Sequence, residues 1–420
     1  MIWAWPTTDW LRSTENSATT PRRWILPQAV AILAELARTQ PKTAEYQRDL
    51  AASYSTLGLI YSDTARWEEA NAAYRDALAI AEEQVRAHPE VTEYQYTLAK
   101  TYGASALMYY RSKGLDNAEK RFQQAFDVLN TLVQNYPLDT KYQALLATTQ
   151  MYWGQLCDTR GWFEKAETAL KAAQSGYAKL VRAPDASPEN WQSLARCDAM
   201  LGRAYRDQAK TERAEAAQQQ ALEIFEKVAR EHPDVLEYAY DVGRCYAELA
   251  RTADTAGRTD AALARFDKAI AIIEGVVSKG FQPGRNNLLD ARIDRAAMLA
   301  GRGDHARATA EAEAVAGLGD LNSYNVYNVG CVFSRAAGAA DHDTKLSTAD
   351  RGRLKAHYAD RAMEYLRQAV AEGWRNPSAA KQDTDLDPLR GREDFQKLIA
   401  ELEAKEKESG VRNQESGVRK

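Results

Sequence analysis

The stretch Tyr54-Ser55-Thr56-Leu57-Gly58-Leu59-Ile60-Tyr61, followed after a short break by Trp67-Glu68-Glu69-Ala70-Asn71-Ala72-Ala73-Tyr74-Arg75-Asp76-Ala77, holds two apolar stripes at helical spacing. Tyr54, Leu57, Gly58 and Tyr61 stand at i, i+3, i+4 and i+7 of the first segment, and Ala70, Tyr74 and Ala77 line one side of the second. Gly58 and the alanines lack the bulk that holds helices apart, so two backbones can approach closely while the aromatics fill the gaps. The unit is a helical hairpin.

The hairpin recurs in a strict register. Ala77, Ala125, Ala173, Ala221 and Ala269 stand 48 residues apart, as do Ala70, Ala118, Ala166, Ala214 and Ala262. Pro41, Pro89 and Pro137 keep the step of 48, and Pro233 follows after two more steps. A fixed period of this size marks a solenoid, in which each unit buries its apolar face only when neighbours stack on it.

These residues resemble the tetratricopeptide repeat (TPR) family, whose first helix carries a large, large, small, large pattern and whose second carries small, large, small. The pattern returns as Tyr102, Ala106, Tyr109, Ala118, Phe122, Ala125, and as Trp153, Gly154, Ala166, Leu170, Ala173. It returns again through Leu201, Gly202, Tyr205, Ala214, Ala221, and through Tyr246, Leu249, Ala250, Ala262, Phe266, Ala269. The resemblance implies an all-α, TPR-like α-solenoid, a right-handed superhelix of helical hairpins, here with an extended repeat of 48 residues. The family unit is about 34 residues, and the late prolines place the extra length where one hairpin meets the next. Both helices are then longer by about two turns at that end, with Tyr46, Tyr94, Tyr142, Trp191 and Tyr238 as added core.

The expected organisation is an irregular or flexible segment 1–23, an orphan second helix 24–40, five long repeats 41–281, a shorter repeat 282–320 and a seventh repeat 321–377. In the seventh, Tyr327 to Phe333 form the first helix and Ala362, Leu366 and Ala369 the second, so Ala336 to Arg353 reads as a loop or short extra helix. A capping segment 378–406 ends in an amphipathic helix with Phe395, Leu398, Ile399 and Leu402, and the polar echo in 407–420 reads as a disordered tail. Asn325, Asn328 and Cys331, the delayed partner helix, Asp385-Leu386-Asp387-Pro388-Leu389-Arg390 and Phe395 resemble the C-terminal TPR regions of large bacterial Ser/Thr protein kinases. That resemblance brings no kinase: the chain has no Gly-x-Gly-x-x-Gly loop, Val-Ala-x-Lys, His-Arg-Asp or Asp-Phe-Gly.

Other chemistry is sparse. A net charge of −4 with both signs interspersed gives no reason to expect nucleic acid. No apolar run approaches the roughly 18 residues of a membrane span, and the start lacks a signal-peptide pattern, so the cytoplasm is the expected compartment. Cys157, Cys197, Cys245 and Cys331 read as small buried thiols. His88 and His232 precede prolines at the ends of second helices, where they suit the helix dipole, and no histidine has a metal partner at ligand spacing. Arg302-Gly303-Asp304 reads as a turn that ends one helix and caps the next. No cofactor, metal or catalytic group is expected.

In the TPR family the first helices line the concave face. By that alignment Arg196, Arg203 and Arg206 in the fourth unit, and Arg244 and Arg251 in the fifth, face a groove whose apolar end holds Leu59, Leu107 and Tyr110. Regular guanidinium groups suit bidentate capture of carboxylates on an acidic peptide. Equally, Arg203 with Asp207, Arg251 with Asp254 and Asp241 with Arg244 can pair along their own helices as a solvated face. The expected function is a non-catalytic scaffold that binds protein or peptide partners, in kinase-linked signalling; the alternatives are an enzyme hidden in a helical-repeat scaffold and a self-assembly module. At the start, Trp24 to Ile32 aligns with the second helix of every later unit, but Met1 to Arg23 is poor in helix formers. The orphan helix leaves an apolar face that Trp3, Trp5 and Trp10 could fold over, or through which the chain could self-associate.

Overall fold

The computed structural model describes residues 19–40, 44–184, 186–319 and 321–417. Trp3, Trp5, Trp10 and Pro41 lie outside them. The described residues contain helices and turns but no strand. After α1 (Thr19–Thr39), the first helices α2 (Ala44–Asp63), α4 (Thr92–Arg111), α6 (Thr140–Thr159), α8 (Pro188–Asp207) and α10 (Leu236–Thr255) begin at steps of 48. The second helices α3 (Trp67–Ala87), α5 (Leu115–Asn135), α7 (Phe163–Leu180), α9 (Thr211–Glu231) and α11 (Thr259–Ser278) keep the same step. A sixth hairpin, α12 (Arg285–Gly301) and α13 (His305–Ala316), is shorter; a seventh, α14 (Ser323–Asp341) and α15 (Thr348–Ala371), precedes α16 (Pro377–Gln382) and α17 (Glu393–Gly417). Two compact units result, the first ending at Pro233 and the second starting at Asp234.

Within a hairpin the small slots do what the sequence predicts. A Cβ added to Gly154 would lie 2.7 Å from Leu170 Cγ, and one on Gly202 would lie 2.5 Å from Gln218 Cγ. Tyr74, Phe122, Leu170 and Phe266, in equivalent slots of their hairpins, are buried against them. At the extended end Tyr142 is buried and packs on Tyr96 and Tyr136, Tyr238 is buried as well, and Tyr46, Tyr94 and Trp191 are half-buried. All four cysteines are free and buried, and burial pushes the Cys157 thiol up to about 12.

The turn between the helices of a hairpin shows a regularity that residue identity hides. Ala65, Lys113, Gly161, Ala209 and Gly257, again at the step of 48, all adopt left-handed backbone, with φ of 55°, 65°, 73°, 58° and 70°. The next residue donates its amide to the carbonyl five back, as Arg66 does to Tyr61 and Lys210 to Tyr205, which closes the helix in the manner of a Schellman turn. Glycine occupies only two of the five sites. An L-residue there costs about 1–2 kcal/mol, partly offset by the greater chain entropy that glycine loses on folding. Ala65→Gly and Ala209→Gly are each expected to raise stability by roughly 0.5–1 kcal/mol, read as a higher urea midpoint; an unchanged or lower midpoint would mean that the turn is unstrained.

In the first unit, ion pairs join successive hairpins with one polarity. Arg111 reaches back to Asp63 at 2.9 Å, Lys141 to Glu93, Arg160 to Asp116 and Arg203 to Asp158. The cation always belongs to the later hairpin.

Three boundaries differ from expectation. The predicted loop Ala336 to Arg353 is mostly helix: α14 continues to Asp341 because Ala336, Ala337 and Ala340 are strong helix formers with buried faces. Ser347 caps α15 by accepting from the Asp350 amide at 3.1 Å, so only 342–347 connects the two and the extra length lies at the turn end. The last helix runs to Gly417 through the predicted tail, whose Lys, Glu and Gln residues favour helix. Helix α1 starts at Thr19, earlier than Trp24, since proline is tolerated in a first turn. The capping helix behaves as predicted, with Phe395, Leu398, Ile399 and Leu402 buried. His88 and His232 stand at helix C-caps, and Asp304 accepts from the Arg307 amide to start α13.

Candidate functional site

In the first unit the first helices of successive hairpins touch one another directly, α2 with α4, α4 with α6 and α6 with α8; in the second unit α12 touches α14. That contact decides what happens to side chains on this face. Leu107 and Tyr110 are buried in one cluster with Met151 and Leu156, and the Tyr110 hydroxyl lies 3.0 Å from Thr159 Oγ1. Leu59 is half-buried. The apolar end expected to line an open groove is therefore largely interior.

The arginines are not a solvated face either. Arg203 is 7% exposed, and its Nη2 lies 3.5 Å from Asp158 Oδ2 on the preceding hairpin rather than on Asp207. Burial raises the Asp158 carboxyl and Arg203 only partly opposes this. Asp158 Oδ1 has no hydrogen-bond partner among the described residues. Arg206 bonds Asp207 at 3.2 Å, and Arg196 is buried. In the second unit Arg244 pairs with Asp241 at 3.5 Å as expected, with its guanidinium 5.4 Å from the Tyr240 ring. Arg251 binds Glu248 at 3.1 Å and Asp294 at 2.7 Å, and not Asp254. Repeat alignment assigns a residue to this face but does not say how near the next helix stands, and near helices strip a guanidinium of water until a carboxylate compensates.

Sequence reasoning missed the acids. On α10, α12 and α14 the carboxylates of Asp254, Asp290 and Asp294 act on one another and on Tyr324, which is 43% exposed. Burial, with Asp294 adding to it, pushes Asp290 up to about 6, while Asn325 donates to its Oδ1 at 3.3 Å. Burial also raises Asp254, which Arg335 partly offsets. Arg335 in turn holds Asp385 at 2.8 Å. Beside it the Tyr327 hydroxyl donates to Asp383 Oδ2 at 2.8 Å, Cys331 Sγ lies 3.6 Å from the same oxygen, and Tyr327 stacks on Trp374 at 4.2 Å. The asparagine- and cysteine-bearing helix and the aspartate-rich turn quoted from the sequence thus meet in space. Asp290 and Asp294 gave no signal because the sixth hairpin falls outside the 48-residue register. Among the described residues no group of three or more His, Cys, Asp or Glu could hold a metal ion, and no helix is long and apolar enough to cross a membrane.

The tetratricopeptide repeat profile matches residues 50–90 and 194–234. These are tetratricopeptide repeats. The other 48-residue TPR hairpins stand in register with them. No curated protein matches the sequence significantly. Among solved structures, the apo form of RapI is 14% identical over 83% of this chain and 94% of its own, with a TM-score of 0.51. A signal transduction ATPase with numerous domains from Pyrococcus horikoshii, described with a tetratricopeptide repeat sensor, is 15% identical with a TM-score of 0.50. The match covers 83% of this chain and 48% of that one, so the chain spans about half of that protein. At such identities the likeness is one of fold.

Proposed function

We propose that the chain is a non-catalytic protein-interaction scaffold whose TPR hairpins take a partner segment along the face of their first helices. The observation that carries this reading is the row of α10, α12 and α14, where Asp254, Asp294, Tyr324 and Arg335 are exposed or half-buried and electrostatically linked. Its carboxylates outnumber its guanidinium groups, and the arginines first expected to attract an acidic peptide already face acids. A segment bearing lysine or arginine therefore complements this row better than an acidic one. The resemblance of residues 24–405 to kinase-associated TPR regions supports a regulatory place in cytoplasmic, kinase-linked signalling. Self-association is a second reading, favoured by Ile32 of α1, which is 62% exposed.

The test is capture from native lysate by the full chain and by Asp294→Asn combined with Tyr324→Ala. Loss of the captured partner with an unchanged circular dichroism spectrum is expected. Undiminished capture by the double variant would remove this row from the binding surface.

A further inference from the structure

The first unit contains an open cleft of about 500 Å³ between the second helices α5 and α7, over α6. Its size is that of a small-ligand site, and the repeat explains why it exists. One hairpin earlier, the position equivalent to Gln150 is Tyr102, which is 7% exposed and donates its hydroxyl to Glu82 Oε1 at 2.7 Å. Arg121 lies over that ring at 5.6 Å and is steadied by Gln124 at 3.0 Å. The fifth hairpin repeats the plan with Tyr246 under Lys268 at 5.3 Å. The fourth fills the place differently, with Asp198 accepting from Gln174.

At the third hairpin each member of this group is cut back. Gln150 stands for Tyr102, Ala169 for Arg121, Ala172 for Gln124 and Asn130 for Glu82, each 48 residues on. What remains is an aromatic wall, Trp153 with Phe126 edge-on at 6.2 Å, and two side-chain amides, Gln150 and Asn130, at its lining. Phe122 supports the same Trp153 from behind at 6.1 Å. The cleft has lost a tyrosine and kept its surroundings.

We propose that this cleft receives a tyrosine side chain from a partner segment, seated as Tyr102 is one hairpin earlier. The ring packs on Trp153 and Phe126, and its hydroxyl meets Asn130, which holds the place of the acceptor Glu82. The site lies between second helices and is independent of the row on the first helices, so either can fail without the other.

N-acetyl-tyrosinamide is the probe, titrated into the full chain and followed through the Trp153 indole resonance, which Trp153→Phe identifies. The tyrosine amide is expected to shift that resonance at millimolar concentration, and N-acetyl-phenylalaninamide to bind about fivefold more weakly for want of one hydrogen bond. Gln150→Tyr with Ala169→Arg rebuilds the earlier hairpin's group; it is expected to raise the melting temperature and abolish the shift. Ala172→Trp, at a half-exposed rim position, should block the probe should the double variant not fold. A Trp153 resonance that does not respond to the probe, equal binding of the two amides, or a shift that survives in a folded filled variant would each overturn the proposal.

Discussion

Arg203→Ala is expected to lower the unfolding free energy by about 3–5 kcal/mol, the usual cost of removing one member of a buried ion pair. The side chains of Arg203 and Asp158 are each only 9% exposed, so the substitution leaves a carboxylate without its counter-charge in a place that water barely reaches. The cost comes from the stranded acid more than from the lost attraction. Arg203→Met with Asp158→Leu should therefore recover most of the loss, because a buried pair and an apolar pair of similar volume are often close in stability. Chemical denaturation of the three proteins decides it. A single variant as stable as the parent but deficient in partner capture would return Arg203 to the role of a peptide-binding group.

The second large effect depends on pH. Asp198 is 3% exposed and accepts a hydrogen bond from Gln174, and burial pushes its carboxyl from 3.8 up to about 6. Its folded value is raised, so the stability it contributes is fully present below about pH 4, where the acid is neutral in both states. That contribution is lost as pH rises through about 6 and the folded protein must hold a buried charge. Asp198→Asn removes the ionisation, so it should stabilise the protein by roughly 2–3 kcal/mol at pH 7.5 and hardly at all at pH 4. Melting curves at the two pH values test the sign. A variant less stable than the parent at pH 7.5 would show that the carboxylate has a stronger partner than Gln174. Asp290, also near 6, predicts a change of the same sign in the second unit.

Much of the fold was legible because it is written five times. Helix starts at 44, 92, 140, 188 and 236 follow directly from the prolines and alanines, and the small slots at Gly58, Gly154 and Gly202 are where bulk would collide. The left-handed turn was hidden because Ala65, Lys113 and Ala209 hold it without glycine. The candidate site was legible in position but not in environment. Arg196, Arg203 and Arg244 were placed on the right helices, yet their burial depends on the distance between neighbouring first helices, which no single hairpin encodes. The seventh hairpin was misjudged at its turn because Ala336 to Ala340 looks like a linker until its alanines are seen to face a core.

The pairs Asp63–Arg111, Glu93–Lys141, Asp116–Arg160 and Asp158–Arg203 all point the same way along the chain. A joint of this kind is head-to-tail: each hairpin offers anions at one side and answers with cations at the other, so it never closes on itself. Gain or loss of one whole period brings the same two surfaces together again and strands no charge at the new junction. The number of hairpins is thus a quantity that duplication and deletion can change in whole steps, with only the end pieces needing new solutions.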